Sequence, residues 1–237
     1  MKGFTLLEMV ITLMVVAVLS LAVTGMISLA ADGYSSGQQR EQLQGEARFL
    51  LGRLSQEIRH AIPNSLSVDE GCLSFYPAIL SGFYLDDRDN PLQVLPLPSE
   101  RSAWLSPGAR DGWQVAVGLG LPSQFSEAPR VVGDIEQLEP DAPLRLTLSE
   151  DLTTRSSGQR LYLFDQPVSF CVEGRYLYRG YQGQRAVLGD QIDQLAFHVV
   201  GGGLHGSGLV NIDLGLIGRR SGERAQFNHS VQVLNVQ

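Results

Sequence analysis

Apolar and polar residues follow three different patterns along this chain, and the first is an uninterrupted apolar run. Residues 9–31 carry no charged side chain. A helix needs roughly 20 consecutive apolar residues to cross a bilayer, so this run is long enough for a membrane span. Lys2 precedes the run and Asp32 follows it. Because positively charged flanks stay in the cytoplasm, we expect the rest of the chain on the far side of the membrane.

The second pattern is helical and begins after a glycine- and serine-rich segment at residues 32–37. Apolar residues recur there at steps of three and four, the spacing of one helix face. This stripe consists of Leu43, Ala47, Leu50, Leu51, Leu54, Ile58 and Ala61. The glycines at 32–37 indicate a weak point or kink, and Pro63-Asn64 predicts the helix end. A continuous helix from Phe4 to Ile62 would be roughly 85–90 Å long, so its first half must be buried in lipid or in a filament.

The third pattern is typical of strands and occupies the rest of the chain. Short segments of alternating or β-branched residues predict strands, whereas residues 77–112 are rich in Pro, Gly, Ser and Asp and predict long loops. The predicted strands are residues 72–76, 113–117, 144–148, 162–164, 168–172, 176–178, 195–200, 210–216 and 227–236. We therefore predict an α+β fold in which one long N-terminal helix packs on an antiparallel β-sheet head.

Composition and charge narrow the possible functions. The 237 residues are 43% hydrophobic and 18% charged, which is enough apolar material for a core, and the net charge is −7. An acidic chain gains no electrostatic attraction to DNA or RNA, so no nucleic-acid partner is expected. The four histidines are scattered, and no zinc-ligand spacing, nucleophile elbow or phosphate loop occurs. We expect neither an enzyme nor a cofactor.

Three membrane topologies are compatible with the apolar run. The chain could be a plain signal-anchor, a secretory protein cleaved after Ser28-Leu29-Ala30, or a prepilin with a short leader. Glu8 distinguishes them, because a carboxylate in an apolar segment is costly and is usually retained for a function. A secretory signal has no use for such a residue.

The residues around Glu8 carry a resemblance to a known family. The string Gly3-Phe4-Thr5-Leu6-Leu7-Glu8-Met9-Val10-Ile11 resembles the leader of type IV pilins and type II secretion pseudopilins. The resemblance implies that prepilin peptidase cuts between Gly3 and Phe4 and N-methylates Phe4. It also implies that Glu8 sets subunit register by pairing with the α-amino group of a neighbouring subunit. Subunits at the extreme filament tip tend to lack this glutamate.

A second resemblance concerns residues 46–65 and the strand that starts at Gly71. Both are similar to W/J-type minor pilins, as found in mannose-sensitive haemagglutinin (MSHA) pili. The resemblance implies a structural subunit of the priming or tip complex, with other minor and major pilins, the inner-membrane assembly platform and the inner membrane as partners. A J-like pseudopilin of a type II secretion system is the alternative. The chain would cross the inner membrane once, with its head in the periplasm, or be part of the filament.

These features divide the chain into four predicted regions. They are a leader at 1–3, a transmembrane or filament-core helix at 4–31, an amphipathic stalk helix at 32–63 and a β-rich head at 64–237. In the exported head, Cys72 and Cys171 lie in predicted strands and are expected to form a disulfide. Asp86, Asp87 and Asp89 are weak candidates for calcium, because Arg88 interrupts them and a solvated turn explains them better.

Overall fold

The computed structural model describes residues 5–85, 90–106, 112–137, 142–200, 208–219 and 222–233. Helix α1 runs from Leu6 to Arg59 over 54 residues. It continues through residues 32–37, so the predicted weak point does not end the helix. The helix stops before Pro63, because a proline disfavours helical geometry in the residue before it.

The two halves of α1 have opposite environments. The first half is exposed along its whole length, and its most apolar window is 0% buried. By length and composition this helix can cross a membrane. In the second half, one stripe is buried as the spacing predicted, except that Leu51 is only half-buried and Ala61 lies beyond the end of the helix. Its buried apolar residues are Leu43, Ala47, Leu50, Leu54 and Ile58.

In the described part of the chain, fourteen strands follow the helix, and every pairing between them is antiparallel. In chain order they are β1 (Ser67–Asp69), β2 (Cys72–Phe75), β3 (Leu80–Tyr84), β4 (Leu92–Pro96), β5 (Gln114–Ala116), β6 (Glu136–Gln137), β7 (Leu144–Leu146), β8 (Arg160–Phe164), β9 (Val168–Glu173), β10 (Tyr176–Tyr181), β11 (Gln184–Gly189), β12 (Ile192–Val200), β13 (Leu209–Ile217) and β14 (Arg224–Gln232). The α+β fold of a long helix on antiparallel sheets is confirmed.

The described strands form three sheets, and two of them pack on the stalk half of α1. One has the strand order β1-β2-β9-β10-β11 and the other has the order β12-β13-β14. Side chains from both sheets join the buried helix stripe in one core, which includes Phe75, Phe170 and Ile212. At Gly189 the sheet approaches α1 so closely that a Cβ would meet the Leu50 side chain at 2.7 Å. The helix is therefore an integral part of the head's main core.

The third sheet is an insertion between β2 and β9. Its order is β5-β8-β3-β4-β7-β6, and every one of its strands lies between β2 and β9 in the chain. It has a separate core around Trp104, which lies in a short helix α2 (Arg101–Leu105). A small aromatic cluster of Tyr76, Phe125 and Phe164 joins this insert to the end of the stalk helix through Ile62.

The prediction of long loops over residues 77–112 was wrong, because β3, β4 and α2 lie there. The strand signal in β3 is hidden by Gly82, where a Cβ would meet the Leu95 carbonyl oxygen at 2.9 Å. The close approach of the two backbones thus requires glycine at this position, and glycine in a sequence is usually read as a sign of a loop. Strand β11 was missed as well, because its first four residues are exposed and give no alternating pattern.

Candidate functional site: the N-terminal helix and its attachment to the head

The start of α1 is fixed by a local cap. Thr5 is in extended conformation, and its Oγ1 accepts a hydrogen bond of 3.3 Å from the backbone N–H of Glu8. The threonine thereby satisfies one of the free N–H groups of the first turn. The Glu8 side chain does not complete a capping box, because it makes no hydrogen bond with the described part of the chain. Glu8 therefore lies in the first turn, where the helix dipole favours a negative charge.

The side chain of Glu8 is available to another molecule. It is exposed, and it makes no hydrogen bond or ion pair with the described part of its own chain. Gly3 and Phe4, the predicted cleavage and methylation residues, lie outside the described residues. The structure thus places Glu8 at the beginning of the helix, next to the predicted new N-terminus.

Hydroxyl groups in the apolar half of α1 are satisfied within the helix. Each donates a hydrogen bond to a backbone carbonyl three or four residues earlier. They belong to Thr12, Ser20, Thr24 and Ser28. Because unsatisfied polar groups are costly in hydrocarbon, this internal pairing suits a helix that lies in lipid or in a dry filament.

Comparison with protein families identifies this N-terminus. The family model for the prokaryotic N-terminal methylation motif matches residues 1–24. The N-terminus is that of a pilin-like prepilin. No curated protein and no solved structure matches the chain. The motif implies processing by prepilin peptidase, anchoring in the inner membrane by the apolar helix, and assembly with other pilins.

Pilin-like proteins with such an N-terminus are typically structural and not enzymatic. Among the described residues, no group of three His, Cys, Asp or Glu side chains could hold a metal ion. The weak calcium candidates Asp86, Asp87 and Asp89 lie outside the described residues.

The expected disulfide joins Cys72 to Cys171 with a Cα–Cα distance of 4.4 Å. It bridges β2 and β9, which pair directly, and it lies beside Tyr178 of β10, the register partner of Cys171. The whole inserted sheet lies between the two cysteines, which are separated by 99 residues. The bridge therefore closes the base of the insert and fastens it to the main sheet.

Ion pairs attach the stalk half of α1 to the head on either side of the buried stripe. Glu57 accepts hydrogen bonds of 3.0 and 2.8 Å from Nε of Arg179 in β10, and it also pairs with Arg53. Nearer the membrane, Arg40 pairs with Glu223 at 2.5 Å, just before β14. The head therefore contacts the helix through ion pairs at two levels, in addition to the main core.

A polar cavity of about 360 Å³ lies at the membrane-proximal end of the head. Gln39 and Gln42 of the helix line it on one side, and Gln191 and Arg219 line it on the other. Beside this cavity, Gln191 donates a hydrogen bond of 2.7 Å to Glu46. Burial raises the pKa of the Glu46 carboxyl, and the Arg219 guanidinium opposes that rise. At this end of the head, polar side chains of the helix and of the sheets thus meet beside Leu43, the first residue of the buried stripe.

The sequence did not reveal these attachment residues. Glu46 and Glu57 have the charge and spacing of an ordinary solvated helix face, and their partners are more than 100 residues away in the chain. An ion pair between distant elements leaves no periodic signal in one sequence. The structure supplies the pairing because it fixes the register of β10 against the helix.

Proposed function

We propose that this protein is a minor pilin that acts in the priming or tip complex of a type IV pilus of the MSHA type. The observation that carries the proposal is Glu8, which is exposed in the first turn of a prepilin helix and has no partner in the described chain. A carboxylate in an apolar helix needs a partner when it enters a dry environment. In a filament of such helices, the α-amino group of the next subunit supplies that charge.

The size and form of the head support a minor subunit. The head contains an inserted six-stranded sheet in addition to the two sheets that pack on the helix, and a chain of 237 residues is long for a major pilin. Residues 46–65 and 71–75 resemble W/J-type minor pilins, and among these the O subunit of the MSHA pilus. Retention of Glu8 favours a position just below the tip, because the uppermost subunit has no subunit above it to pair with.

A J-like minor pseudopilin of a type II secretion system is the second candidate. It rests on the same N-terminal motif, which occurs in both systems. Deletion in the host separates the two, because loss of surface pili supports the first role and loss of exoprotein secretion supports the second. The neighbouring genes also separate the two candidates, because pilus genes support the first and secretion genes support the second.

The test of the proposal is replacement of Glu8 in the host. We expect Glu8→Gln to leave the chain processed and membrane-bound, while its amount in sheared filaments falls at least about tenfold, because a buried ammonium group loses its charge partner. Glu150→Gln is the matched control, since Glu150 is an exposed glutamate of the head. Normal incorporation of the Glu8→Gln protein would refute the role in registration.

The mature N-terminus is measured in the same preparations. Intact mass should show a chain that begins with N-methylated Phe4. A chain that begins at Ala31 would identify a secreted domain, and one that retains Met1 would identify a simple anchor. Either result would overturn the proposed function before any filament is counted.

A further inference from the structure

We propose that the polar cavity at the base of the head binds the headgroup of a membrane phospholipid that carries a primary ammonium, such as phosphatidylethanolamine. This is the cavity of about 360 Å³ between the stalk helix and the residues that follow β13. The inference rests on the membrane anchor and does not depend on which filament the chain joins. It goes beyond the proposed function, because it concerns the protein while its apolar helix is in the membrane.

The helix wall of this cavity is a polar stripe whose side chains have no partner in the described part of the chain. The stripe has the i, i+3, i+4, i+7 spacing of one helix face and consists of Ser35, Gln38, Gln39 and Gln42. None of these side chains makes a hydrogen bond with the described residues. The hydroxyl groups in the apolar half of α1, in contrast, are all paired with their own helix backbone. The stripe therefore presents polar groups to a molecule outside the chain.

Gln39 is the most demanding member of the stripe. Its Oε1 atom is buried and has no hydrogen-bond donor within the described residues. Buried acceptors are almost always paired, because an unpaired one loses its hydration without compensation. One water occupies only about 30 Å³, whereas ligand pockets begin at about 300 Å³, so this cavity has room for a ligand that brings the donor.

The height of the cavity indicates that this ligand is a lipid. Ser35 and Gln39 follow Ala31, where the apolar run ends, by 35 − 31 = 4 and 39 − 31 = 8 residues. At 1.5 Å per residue, they are about 6 and 12 Å beyond that point. Helix side chains lean towards the N-terminus of their helix, which is the membrane end here, so the Gln39 amide lies below its Cα. The headgroup layer is about 5–8 Å thick on each side of the bilayer, and the lower end of the cavity lies at this level.

Charge around the cavity favours a cationic group over an anionic one. The two guanidinium groups are already paired, Arg40 with Glu223 and Arg219 with Asp190. Glu46, beside the cavity, makes no ion pair with the described residues and accepts its hydrogen bond from a neutral amide. Three carboxylates thus face two guanidinium groups, and the excess negative charge attracts a cation.

A primary ammonium has the donors that the stripe lacks. It carries three N–H groups, and one of them can donate to Oε1 of Gln39. The Ser35 hydroxyl and the Gln38 amide, lower on the stripe, can donate to the phosphate of the same headgroup. A choline headgroup carries the same charges but has no N–H group. A glycerol headgroup has hydroxyl donors but adds a net negative charge beside Glu46.

Lipid selectivity of the full-length protein tests the proposal. The protein is reconstituted in nanodiscs that contain equal amounts of ethanolamine, choline and glycerol phospholipids with identical acyl chains. Native mass spectrometry then measures which lipids remain bound after release. We expect ethanolamine lipid to be retained at least about fivefold over choline lipid, because one charge-assisted hydrogen bond distinguishes them. Equal retention of the two, no retained lipid, or a preference for glycerol lipid would overturn the proposal.

Replacement of Gln39 assigns the selectivity to the cavity. Gln39→Leu removes the buried acceptor and keeps a good helix former, so the ratio of retained ethanolamine to choline lipid should fall to about one. Gln44→Leu is the matched control, since Gln44 is an exposed glutamine of the same helix that does not line the cavity. Circular dichroism checks that both variants fold, and the wild-type comparison decides the question without either of them. Unchanged selectivity in Gln39→Leu, or equal loss in Gln44→Leu, would contradict the assignment.

A soluble headgroup separates a lipid site from a site for a soluble amine. Excess glycerophosphoethanolamine should not displace the retained lipid, because the membrane holds the lipid headgroup at the level of the cavity. Displacement would mean that the site takes a soluble ligand and would overturn the lipid proposal. These measurements need no filament, so they can fail while Glu8 keeps its role in registration, and they can succeed if that role is refuted.

Discussion

Removal of the disulfide should destabilise the head by an amount that depends on how the inserted sheet unfolds. The double variant Cys72→Ser/Cys171→Ser deletes the bridge without leaving a free thiol, since the chain has two cysteines. The bridge joins residues separated by 99 positions, and all six strands of the insert lie between them. Its effect on the unfolded chain therefore depends on whether the insert is unfolded too.

Two limits follow from the chain-entropy model. If the whole head unfolds together, the closed loop has about 100 residues and the bridge contributes about 4.7 kcal/mol. If the insert remains folded while the main sheet opens, the flexible loop consists mainly of residues 73–79 and 165–170, which is 7 + 6 residues. A loop of about 15 residues gives about 3 kcal/mol. The unfolding free energy that is lost with the bridge thus shows whether the insert and the main sheet unfold together or separately.

Two spectroscopic probes can follow the two cores separately. The two tryptophans, Trp104 and Trp113, both contribute to the core of the insert, so their fluorescence reports on that sheet. Circular dichroism at 222 nm is dominated by the helix, whose stalk half belongs to the main core. Urea titrations of the full-length wild type and double variant in detergent give both transitions and the free energy of unfolding.

If fluorescence and circular dichroism show the same transition, we expect the double variant to lose about 4–5 kcal/mol of unfolding free energy. If the two probes show separate transitions, we expect the main sheet to lose about 3 kcal/mol. Wild type with reductant is the control and should behave as the double variant does. A loss below about 1 kcal/mol, or coincident transitions with a loss below about 2 kcal/mol, would refute the reasoning. Either would mean that the pairing of β2 and β9 holds the insert without the bridge.

Two further predictions concern single residues. Because the folded-state pKa of the Glu46 carboxyl is raised above 4.5, the folded state binds more protons, and stability should fall as pH rises from 4.5 to the raised value. In the Glu46→Gln variant, the free energy of unfolding measured by urea titration across pH 4–7 should no longer show this fall. A variant with the same pH dependence as wild type would contradict the role of Glu46. Gly118→Ala should cost about 2–3 kcal/mol, because φ is +59° and a Cβ would overlap the Arg155 carbonyl. Gly133→Ala, with φ +74° and open space, should cost only about 1 kcal/mol, and equal losses would exclude the overlap as the cause.

Periodic features of the sequence predicted the helix and its two environments well. The apolar run at 9–31 and the stripe from Leu43 to Ile58 are local patterns. Each one arises because its part of the helix has the same surroundings over its whole length. The bridge between Cys72 and Cys171 was also predictable, because both cysteines lie in strand-like segments of an exported head. Alternation likewise revealed β13, whose first six residues are half-buried and buried in turn, although its last four residues are all buried.

Features that depend on distant contacts were not predictable. The insert forms its own sheet because β3 pairs with β8, almost 80 residues later in the chain, and no local signal records that pairing. Gly82 and Pro96 lie opposite each other in β3 and β4, so residues that suggest loops are in fact register partners. The attachment of Glu57 to Arg179 and the exposure of Phe49 are likewise consequences of how the head is placed on the helix.

The placement of the head on α1 constrains how the chain can assemble. Arg40 and Glu57 fix the head at two heights, and the main core incorporates the buried stripe, so the head moves with its helix. A contact that sets the axial position of the apolar half therefore sets the position of the head as well. Arg40 follows Glu8 by 40 − 8 = 32 residues, which is about 48 Å of helix, so a contact at Glu8 would set the height of the head. Because α1 continues without a break through residues 32–37, the position of the apolar half determines that of the head, whereas a hinge at those residues would uncouple the two.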